Sequence, residues 1–398
     1  MNILLLNAGS SSLKATLMDS ADGAVVAHGL ADWAGSATHY RFENARGESR
    51  AEDVPWKGHA PAVHRFVLDL THVEPVALPN GSGLAAVGHR VVHGGQFTSS
   101  VRITAEIRSR ISALADLAPL HNPPSLETLS AAEAALPDVP QVAVFDTGFH
   151  ATLPAEAYTY PVPESWARDW GIRRYGFHGL SHAYCSQRAA ELLGRPGSEL
   201  RLVICHLGHG CSASAVRGGR CIDTTMGFTP LDGLMMATRS GSIDPGIVLH
   251  VQQHHGLTAE AVETALNREA GLLGVSGISG DMRQVLSAAN AGHERAKLAL
   301  AIYTRKVRQA IGAYAVTLGG IDALVFTAGV GEHAGEVRET ICGGLDCLGL
   351  QLDLEANAAC RPDADVARPG SRGRILVIVA REDVTMLREV SQVLAEKS

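Results

Sequence analysis

The chain has 398 residues, 46% of them hydrophobic and 19% charged, with a formal net charge of −7. That length exceeds one ordinary core and predicts two domains, and the composition is that of a globular chain rather than a disordered one. The acidic balance and the lack of any basic run exclude a general nucleic-acid or anionic-membrane binder, and no apolar run approaches the ~20 residues of a membrane span.

Cys185, Cys205, Cys211, Cys221, Cys342, Cys347 and Cys360 form no C-x-x-C pair and are odd in number. Reduced thiols in a cytoplasmic protein are therefore expected, not a disulfide framework. No basic segment precedes the short apolar run at residues 3–6, so no signal peptide is expected.

Residues 1–6 and 13–18 predict a β-hairpin closed by a serine-rich turn, and residues 24–30 a third strand. Residues 35–60 are polar and carry no pattern that assigns an element. Apolar residues at helical spacing predict helices over 61–70 and 103–117, with a strand over 84–92 between them. An alanine-rich helix over 124–136, N-capped by Ser125, leads to a strand over 141–145. Residues 151–175, rich in Pro, Trp, Tyr and Arg, change the texture of the chain. The boundary is placed at their start: a first domain over 1–150, on which a C-terminal helix (384–398) packs, and a second over 151–383.

The second half predicts a helix over 181–193, a strand over 202–205 and helices over 258–270 and 293–318. Leu300, Thr304, Val307, Ile311, Tyr314 and Leu318 line one stripe of the last, which Gly319-Gly320 terminates. Strands over 323–326 and 374–379 and a helix over 384–396 follow. Alternating strands and helices predict an α/β protein with largely covered sheets.

Three strands run into glycine-bearing turns: Asn7-Ala-Gly9-Ser-Ser-Ser12, His206-Leu-Gly208-His-Gly210-Cys-Ser212 and Thr327-Ala-Gly329-Val-Gly331-Glu332. Glycine lets backbone N–H groups approach an anion with no Cβ in the way. None of the three is a P-loop or a dinucleotide fingerprint. One such turn alone is ordinary, but their repetition implies one polyanion gripped from several sides. Asn7 aligns with His206 and Gly9 with Gly208, a weak internal similarity that fits two related domains facing each other across a cleft.

Lys14 follows the serine turn, where an ammonium could reach a phosphate, with a solvated strand lysine as the alternative. Arg90, at a strand end before Gly94-Gly95, suits bidentate recognition of carboxylate or phosphate, with an interdomain ion pair as the alternative. Arg239 lies in a loop of small residues (235–246), and His178 in Arg173-Arg-Tyr-Gly-Phe-His-Gly179. Asp146 and Glu382 are candidate acids for a hard cation, which takes one or two carboxylates plus substrate phosphates. Their alternatives are a helix cap and plain surface charge.

Taken together, these motifs resemble the acetate kinase family of the acetate/sugar kinase–actin ATPase superfamily. The match includes N-x-G-S-S-S-x-K at 7–14, G-H-R-V-V-H-G-G at 88–95, F-D-T-x-F-H at 145–150 and R-R-Y-G-F-H-G at 173–179. It continues with H-L-G-x-G at 206–210, D-T-T-M-G-F-T-P-L-x-G at 223–233 and T-R-S-G-x-I-D-P-G at 238–246. S-G-x-S-x-D-M-R at 276–283 and F-T-x-G-x-G-E at 326–332 complete it.

The resemblance implies two duplicated domains of ribonuclease H-like (actin-like ATPase) type, with mixed sheets flanked by helices, an interdomain active-site cleft and a homodimer. It implies the reaction ATP + acetate ⇌ ADP + acetyl phosphate with Mg²⁺, or Mn²⁺ in its place. By position, Asn7 and Glu382 help hold the metal and Lys14 approaches the phosphates. His206, Leu207, Gly208, His209, Gly210, Asp281, Met282, Arg283, Gly329, Val330, Gly331, Glu332 and His333 surround the nucleotide. Arg90 grips the acyl substrate, His178 and Arg239 stabilise the transferring group, and Asp146 is the family's catalytic acid. Val92, Leu120, Phe177 and Pro230 match the apolar pocket for the acyl methyl group.

A kinase for propionate or another short-chain fatty acid is the nearest alternative. A non-catalytic actin-like nucleotide binder is a more distant one, since it need not keep Arg90, His178 and Arg239. A carboxylate nucleophile is already ionised at neutral pH, so Asp146 is expected to orient an arginine or a metal-bound water rather than act as a base. The chain departs from the family pattern at His209, Cys211, His333 and Arg381.

Overall fold

Ile3, Leu4, Leu5 and Leu6 are all buried, so strand β1 (Asn2–Ala8) is covered on both faces and forms the middle of its sheet. The computed structural model describes residues 1–73, 77–78, 83–115 and 122–396, which divide into two compact units. The first comprises Met1–Gly148 with Arg381–Ser398, and the second Phe149–Ala380.

On one side of β1, β2 (Ser12–Asp19), β3 (Val25–Asp32), β4 (Thr38–Asn44) and β5 (Ser49–Val54) follow as an antiparallel meander. On the other side β6 (Leu84–Val91) pairs parallel to β1, and β8 (Gln141–Phe145) parallel to β6. The short β7 (Val101–Arg102) closes the edge, antiparallel to β8. Side chains alternate across a strand. Leu4, Leu6, Leu13, Ala15 and Leu17 thus share one core with Phe66 and Leu70 of helix His59–His72 and Ala132 of helix Asn122–Ala135. The opposite face receives the C-terminal helix Glu382–Ala395. A Cβ on Gly88 would stand 2.6 Å from Val390, so glycine is what lets that helix lie close to the sheet.

The second unit holds β9 (Arg201–Leu207), β10 (Cys211–Arg217), β11 (Arg220–Thr224), β12 (Ala323–Thr327), β13 (Ala364–Asp365) and β14 (Arg374–Val377), in the order β11-β10-β9-β12-β14-β13. Pairing is antiparallel across β9, β10 and β11 and parallel across β9, β12 and β14. The run β3-β2-β1-β6-β8 in the first unit and β11-β10-β9-β12-β14 in the second are one topology used twice. This is the duplicated actin-like α/β plan. Cys185 and Ala189 of helix Gly179–Leu193 share a core with Leu202, Ile204, Val325 and Leu376. Helix Glu294–Leu318 buries Tyr303, Thr304, Val307, Ile311, Tyr314 and Leu318, leaves Leu300 partly exposed, and ends at Gly319 with φ 70°.

Four local expectations need correction. Residues 35–60 contain β4 and β5; Thr38, Tyr40, Phe42 and Asn44 point inward while His39 and Arg41 face water, a strand period half hidden by polar inward residues. Ser125 is no N-cap: its helix starts at Asn122, and its hydroxyl donates to the Arg90 carbonyl at 3.1 Å. The helix expected over 103–117 covers Ala105–Ser112 behind a Thr104 cap, and residues 116 and 117 lie outside the described part. The helix expected over 258–270 is α-helical only over Ala259–Thr264 and continues as a π turn, Ala265–Glu269. Among the described residues no helix is long and apolar enough to cross a membrane.

His89 on β6 is enclosed, with Nε2 2.7 Å from the Gln141 side-chain oxygen. Burial pushes its pKa down to about 4, only partly opposed by that hydrogen bond. An unfolded histidine titrates near ~6.5, so between these values the unfolded chain binds a proton that the folded chain refuses. The contribution is complete above about pH 6.5 and is lost as pH falls toward 4, on the order of 3 kcal/mol in all. Thermal unfolding should show Tm falling from pH 7 to pH 5, with a shallower fall in His89→Gln. An equally steep fall in the variant would remove His89 from this account.

Candidate active site

In the first unit four polar side chains meet where the parallel strands end: Asn7 on β1, Arg90 on β6, Asp146 just after β8, and Glu382 at the start of the C-terminal helix. Carboxyl ends of parallel strands are where α/β sheets bind ligands. Arg90 donates from Nε to Asp146 Oδ1 at 3.0 Å and from Nη2 to Oδ2, while Nη1 donates to Asn7 Oδ1 at 3.0 Å. Its Nε lies 4.0 Å from Glu382 Oε2, and Asn7 Nδ2 reaches the same oxygen at 3.5 Å. Burial works against the Arg90 charge, but the carboxylates of Asp146 and Glu382 outweigh it and push the pKa above its ordinary value. The arginine's ion pair is thus internal to this unit, and neither Asp146 as a helix cap nor Glu382 as loose surface charge describes what is found.

Lys14 stands opposite Asn7 in the β1–β2 register and is exposed. The turn between these strands closes through Gly9 N–H to the Ser12 carbonyl at 2.8 Å, and buried His59 donates from Nε2 to the Gly9 carbonyl at 2.9 Å. Val92 is buried just past β6, while Leu120 lies outside the described residues.

In the second unit, β9 and β10 pair up to Leu207 and Cys211, which leaves Gly208-His209-Gly210 as a tight turn. A Cβ on Gly210 would lie 3.2 Å from Cε1 and Nε2 of His178 and 3.5 Å from Nη1 of Arg239. The turn is therefore the shared floor of those two side chains. His178 has φ 58° and Ala328 φ 64°, the two positive-φ non-glycine residues among those described. Such backbone costs roughly 1–2 kcal/mol per residue and persists where the surroundings impose it. The His178 ring stacks on His206, centroids 4.1 Å apart, and its Nδ1 is 2.9 Å from Ser212 Oγ.

Arg239 donates from Nη1 to the Pro230 carbonyl at 3.2 Å, and no described carboxylate pairs with it. Burial pushes its pKa down. A half-buried guanidinium without a counter-ion is a place for an anion. Phe177 is fully buried, its carbonyl taken by His150 Nε2.

Next to the turn is a cavity of about 760 Å³. Gly208 and His209 line it from the turn, Asp281, Met282 and Arg283 from the start of helix Met282–Asn290, and Gly329, Val330 and His333 from helix Ala328–His333. Its size and the apolar wall of Leu272, Met282 and Leu286 are those of a small-molecule site. The expected third glycine turn is instead this short helix, following β12 directly. His206, Leu207, Gly210, Gly331 and Glu332 do not line the cavity. The Glu332 carboxylate instead accepts from Ala380 N–H at 2.9 Å, and Leu207 is enclosed in the sheet.

The acetokinase family pattern matches residues 2–388. The chain belongs to the acetokinase family. It is 48% identical to the acetate kinase of Gloeobacter violaceus, over 98% of this chain and 99% of that one. It is 46% identical to that of a Cyanothece species over the whole of both. Among solved structures it superposes on Porphyromonas gingivalis acetate kinase with a TM-score of 0.90 at 37% identity, covering 99% of each chain. A propionate kinase from Francisella tularensis gives the same TM-score and identity over 98% of each. Family membership makes the chain a phosphotransferase with a carboxyl group as acceptor.

Its departures from the acetokinase pattern have distinct settings. Cys211 is buried between the Gly208 carbonyl, 3.4 Å away, and the Tyr303 hydroxyl, 3.3 Å away, and burial pushes its thiol up to about 11. It is an inert packing residue, not a reactive thiol. Arg381 pairs with Asp383 at 2.9 Å. Both His209 and His333 face the cavity.

Residues not foreseen also shape the site. Arg338, 2% exposed, donates from Nη1 to the carbonyls of Gly331 and Glu332, each at 2.9 Å, and so caps helix Ala328–His333. Ser212, His182 and Ser181 surround the two stacked histidines. The only sequence signal for His182 was its place one helical turn after His178.

Gly210 is not among the positive-φ glycines, so alanine fits its backbone, yet the added methyl group must displace the His178 ring by a few tenths of an ångström. Gly210→Ala should retain its Tm within a few degrees while kcat falls about 10-fold or more. Steady-state kinetics beside a thermal melt would show this, and a wild-type kcat would overturn the floor role.

Proposed function

We propose that this acetokinase transfers the γ-phosphoryl group of ATP to acetate, reversibly, by direct in-line attack of the acetate carboxylate. The observation that carries the reading is the contrast between two arginines: Arg90 is answered by carboxylates of its own unit, whereas Arg239 has no described counter-ion and sits beside His178 at the Gly208–Gly210 turn. Phosphoryl transfer needs positioned donors for the charge on the equatorial oxygens and little covalent help from the protein. Arg239 and His178 supply such donors, and the neighbouring cavity takes the nucleoside. Arg90 directs the acceptor carboxylate, with Val92 two residues on, and Lys14 approaches the phosphates.

Asp146 presents both oxygens to Arg90, which favours an orienting role over proton removal. Glu382 and Asn7 offer oxygen donors suited to Mg²⁺, or Mn²⁺ in its place. Two carboxylates face one guanidinium there, leaving one negative charge that a cation would offset. The described residues hold no group of three or more His, Cys, Asp or Glu able to cage a metal. Such a cation takes most of its ligands from substrate phosphates and water. When bound, it neutralises phosphate charge. A cytoplasmic homodimer is the expected working form.

Acetate is preferred over propionate because the curated relatives at 46–48% identity bear the acetate kinase name. The fold does not separate the two, since an extra methylene is worth only ~1–3 kcal/mol in an apolar pocket. A coupled assay should give acetate a kcat/KM about 10-fold or more above that of propionate, with butyrate lower still. A higher value for propionate would reassign the acceptor.

Two variants test the roles. Arg239→Ala should bind nucleotide normally by equilibrium titration yet lose about 10²-fold or more in kcat; retained turnover would remove Arg239 from the site. Asp146→Asn should lose activity at every pH, with a profile parallel to the parent. Recovery of rate as pH rises would restore the base role.

A further inference from the structure

Two histidines converge on one buried hydroxyl in the second unit. Ser212, on β10 and fully enclosed, has its Oγ 2.9 Å from His178 Nδ1 and 2.8 Å from His182 Nε2. A hydroxyl carries one proton, so the two rings cannot make the same kind of bond to it unless that proton finds another acceptor. We propose that Ser212 and His182 are positioning residues: His182 donates from Nε2 to Ser212 Oγ, and the Ser212 hydroxyl donates to Nδ1 of His178. His178 is thereby left with its proton on Nε2, aimed at the transferring phosphoryl group. The proposal deepens the kinase reading and rests on it for the last clause only.

The direction of the relay follows from its buried end. His182 is completely enclosed, and the ionisable rings facing it are His150, 5.7 Å away between centroids, and His206, 6.4 Å away. Burial first, and then those two neighbours, hold its pKa well below the ordinary histidine value, so it is neutral and has one N–H. Its Nδ1 is buried with no partner among the described residues. A proton on Nδ1 would be an orphaned buried N–H, which native structures avoid more strictly than a bare acceptor and which costs about 1–3 kcal/mol. The proton therefore belongs on Nε2, facing Ser212. The hydroxyl hydrogen is then available to His178 Nδ1, which must accept, and the His178 proton lies on Nε2.

That nitrogen is on the side of the ring against Gly210, 3.2 Å from where a Cβ would stand, and Arg239 Nη1 lies 3.5 Å from the same point. The N–H and the guanidinium thus converge. A neutral donor also keeps the site competent above the pH at which an imidazolium would be lost.

The direct test is nitrogen-15 NMR of the histidines in the full-length, ligand-free protein, with the His178 signals assigned by comparison with His178→Gln. The wild type should show Nε2 of His178 protonated and Nδ1 bare. Ser212→Ala should mix the two tautomers and lower kcat about 10- to 100-fold with both KM values within about 3-fold, as expected when only a transition-state contact is lost. Ser212→Thr should restore the tautomer and most of kcat. Should threonine fail to fold, His182→Gln, whose amide can still donate, is expected to keep the tautomer, and His182→Leu to lose it.

A wild-type His178 protonated on Nδ1, or a Ser212→Ala protein with an unchanged tautomer, would overturn the relay. Because the spectra need no substrate, they separate the two readings. The expected tautomer without acetate turnover would sink the kinase reading alone, and turnover with the wrong tautomer would sink the relay alone.

Discussion

A guanidinium drawn away from water needs a carboxylate, a set of neutral oxygen acceptors such as Arg338 finds, or a bound anion. The two site arginines meet that requirement differently. Arg90 is clamped on both oxygens of Asp146, with Asn7 and Glu382 against its flank, so its geometry is complete before any substrate arrives. Arg239 holds only the Pro230 carbonyl and a long contact to the Met236 sulfur, and burial weakens its hold on its proton. The first arginine is more than balanced by its two carboxylates, the second under-compensated. The roles proposed for them, a guide for the small acceptor and a positive charge for the larger anion, rest on that contrast.

The fold delivers these groups by one device used twice. In each unit a hairpin turns back at the carboxyl end of the central strand, and two parallel strands end at the same edge. Asn7 and His206 occupy matching places on β1 and β9, as do Arg90 and Thr327 near the ends of β6 and β12. The two hairpins then diverge. The first closes over Gly9 to Ser12 with His59 holding its carbonyl. The second closes over three residues with two glycines: a Cβ on Gly210 would crowd the His178 ring and one on Gly208 the Gly210 carbonyl, with Arg239 and Ala328 as the next neighbours. Both left-handed non-glycine residues, His178 and Ala328, are among those neighbours, so the backbone strain is concentrated around one turn. The buried strands β9 and β12 and the Arg338 cap supply the rigidity that holds such strain in place.

What was legible in the sequence follows from how local each signal was. Short apolar runs disclosed β1, β8, β9 and β12, their length and β-branched content favouring strands over helices. The β4–β5 hairpin stayed hidden because Thr38 and Asn44 take inward places that a hydrophobic pattern reserves for aliphatic residues, and Asn44 is inward to hold the turn through Arg46 and Glu48 N–H. Arg90, His178 and Arg239 stood out through their glycine-rich surroundings. Ser125, Ser212, His182 and Arg338 did not, because each acts through a partner far along the chain or through enclosure. A serine inside a helix or a strand carries no mark of the partner its hydroxyl finds far along the chain.

The departures from the acetokinase pattern can be ranked by the same physics. Cys211 points into the core against Tyr303, and a small buried thiol there changes packing, not charge. Arg381 finds Asp383 two residues away and so adds little net charge beside Glu382. His209 is different. It is the one residue of its turn with a side chain, it lines the cavity, and burial together with nearby Arg239 holds its pKa down. A second cation beside Arg239 would repel it, so a neutral ring is the form this site tolerates. His209 therefore offers the cavity a hydrogen-bonding ring and not an added charge.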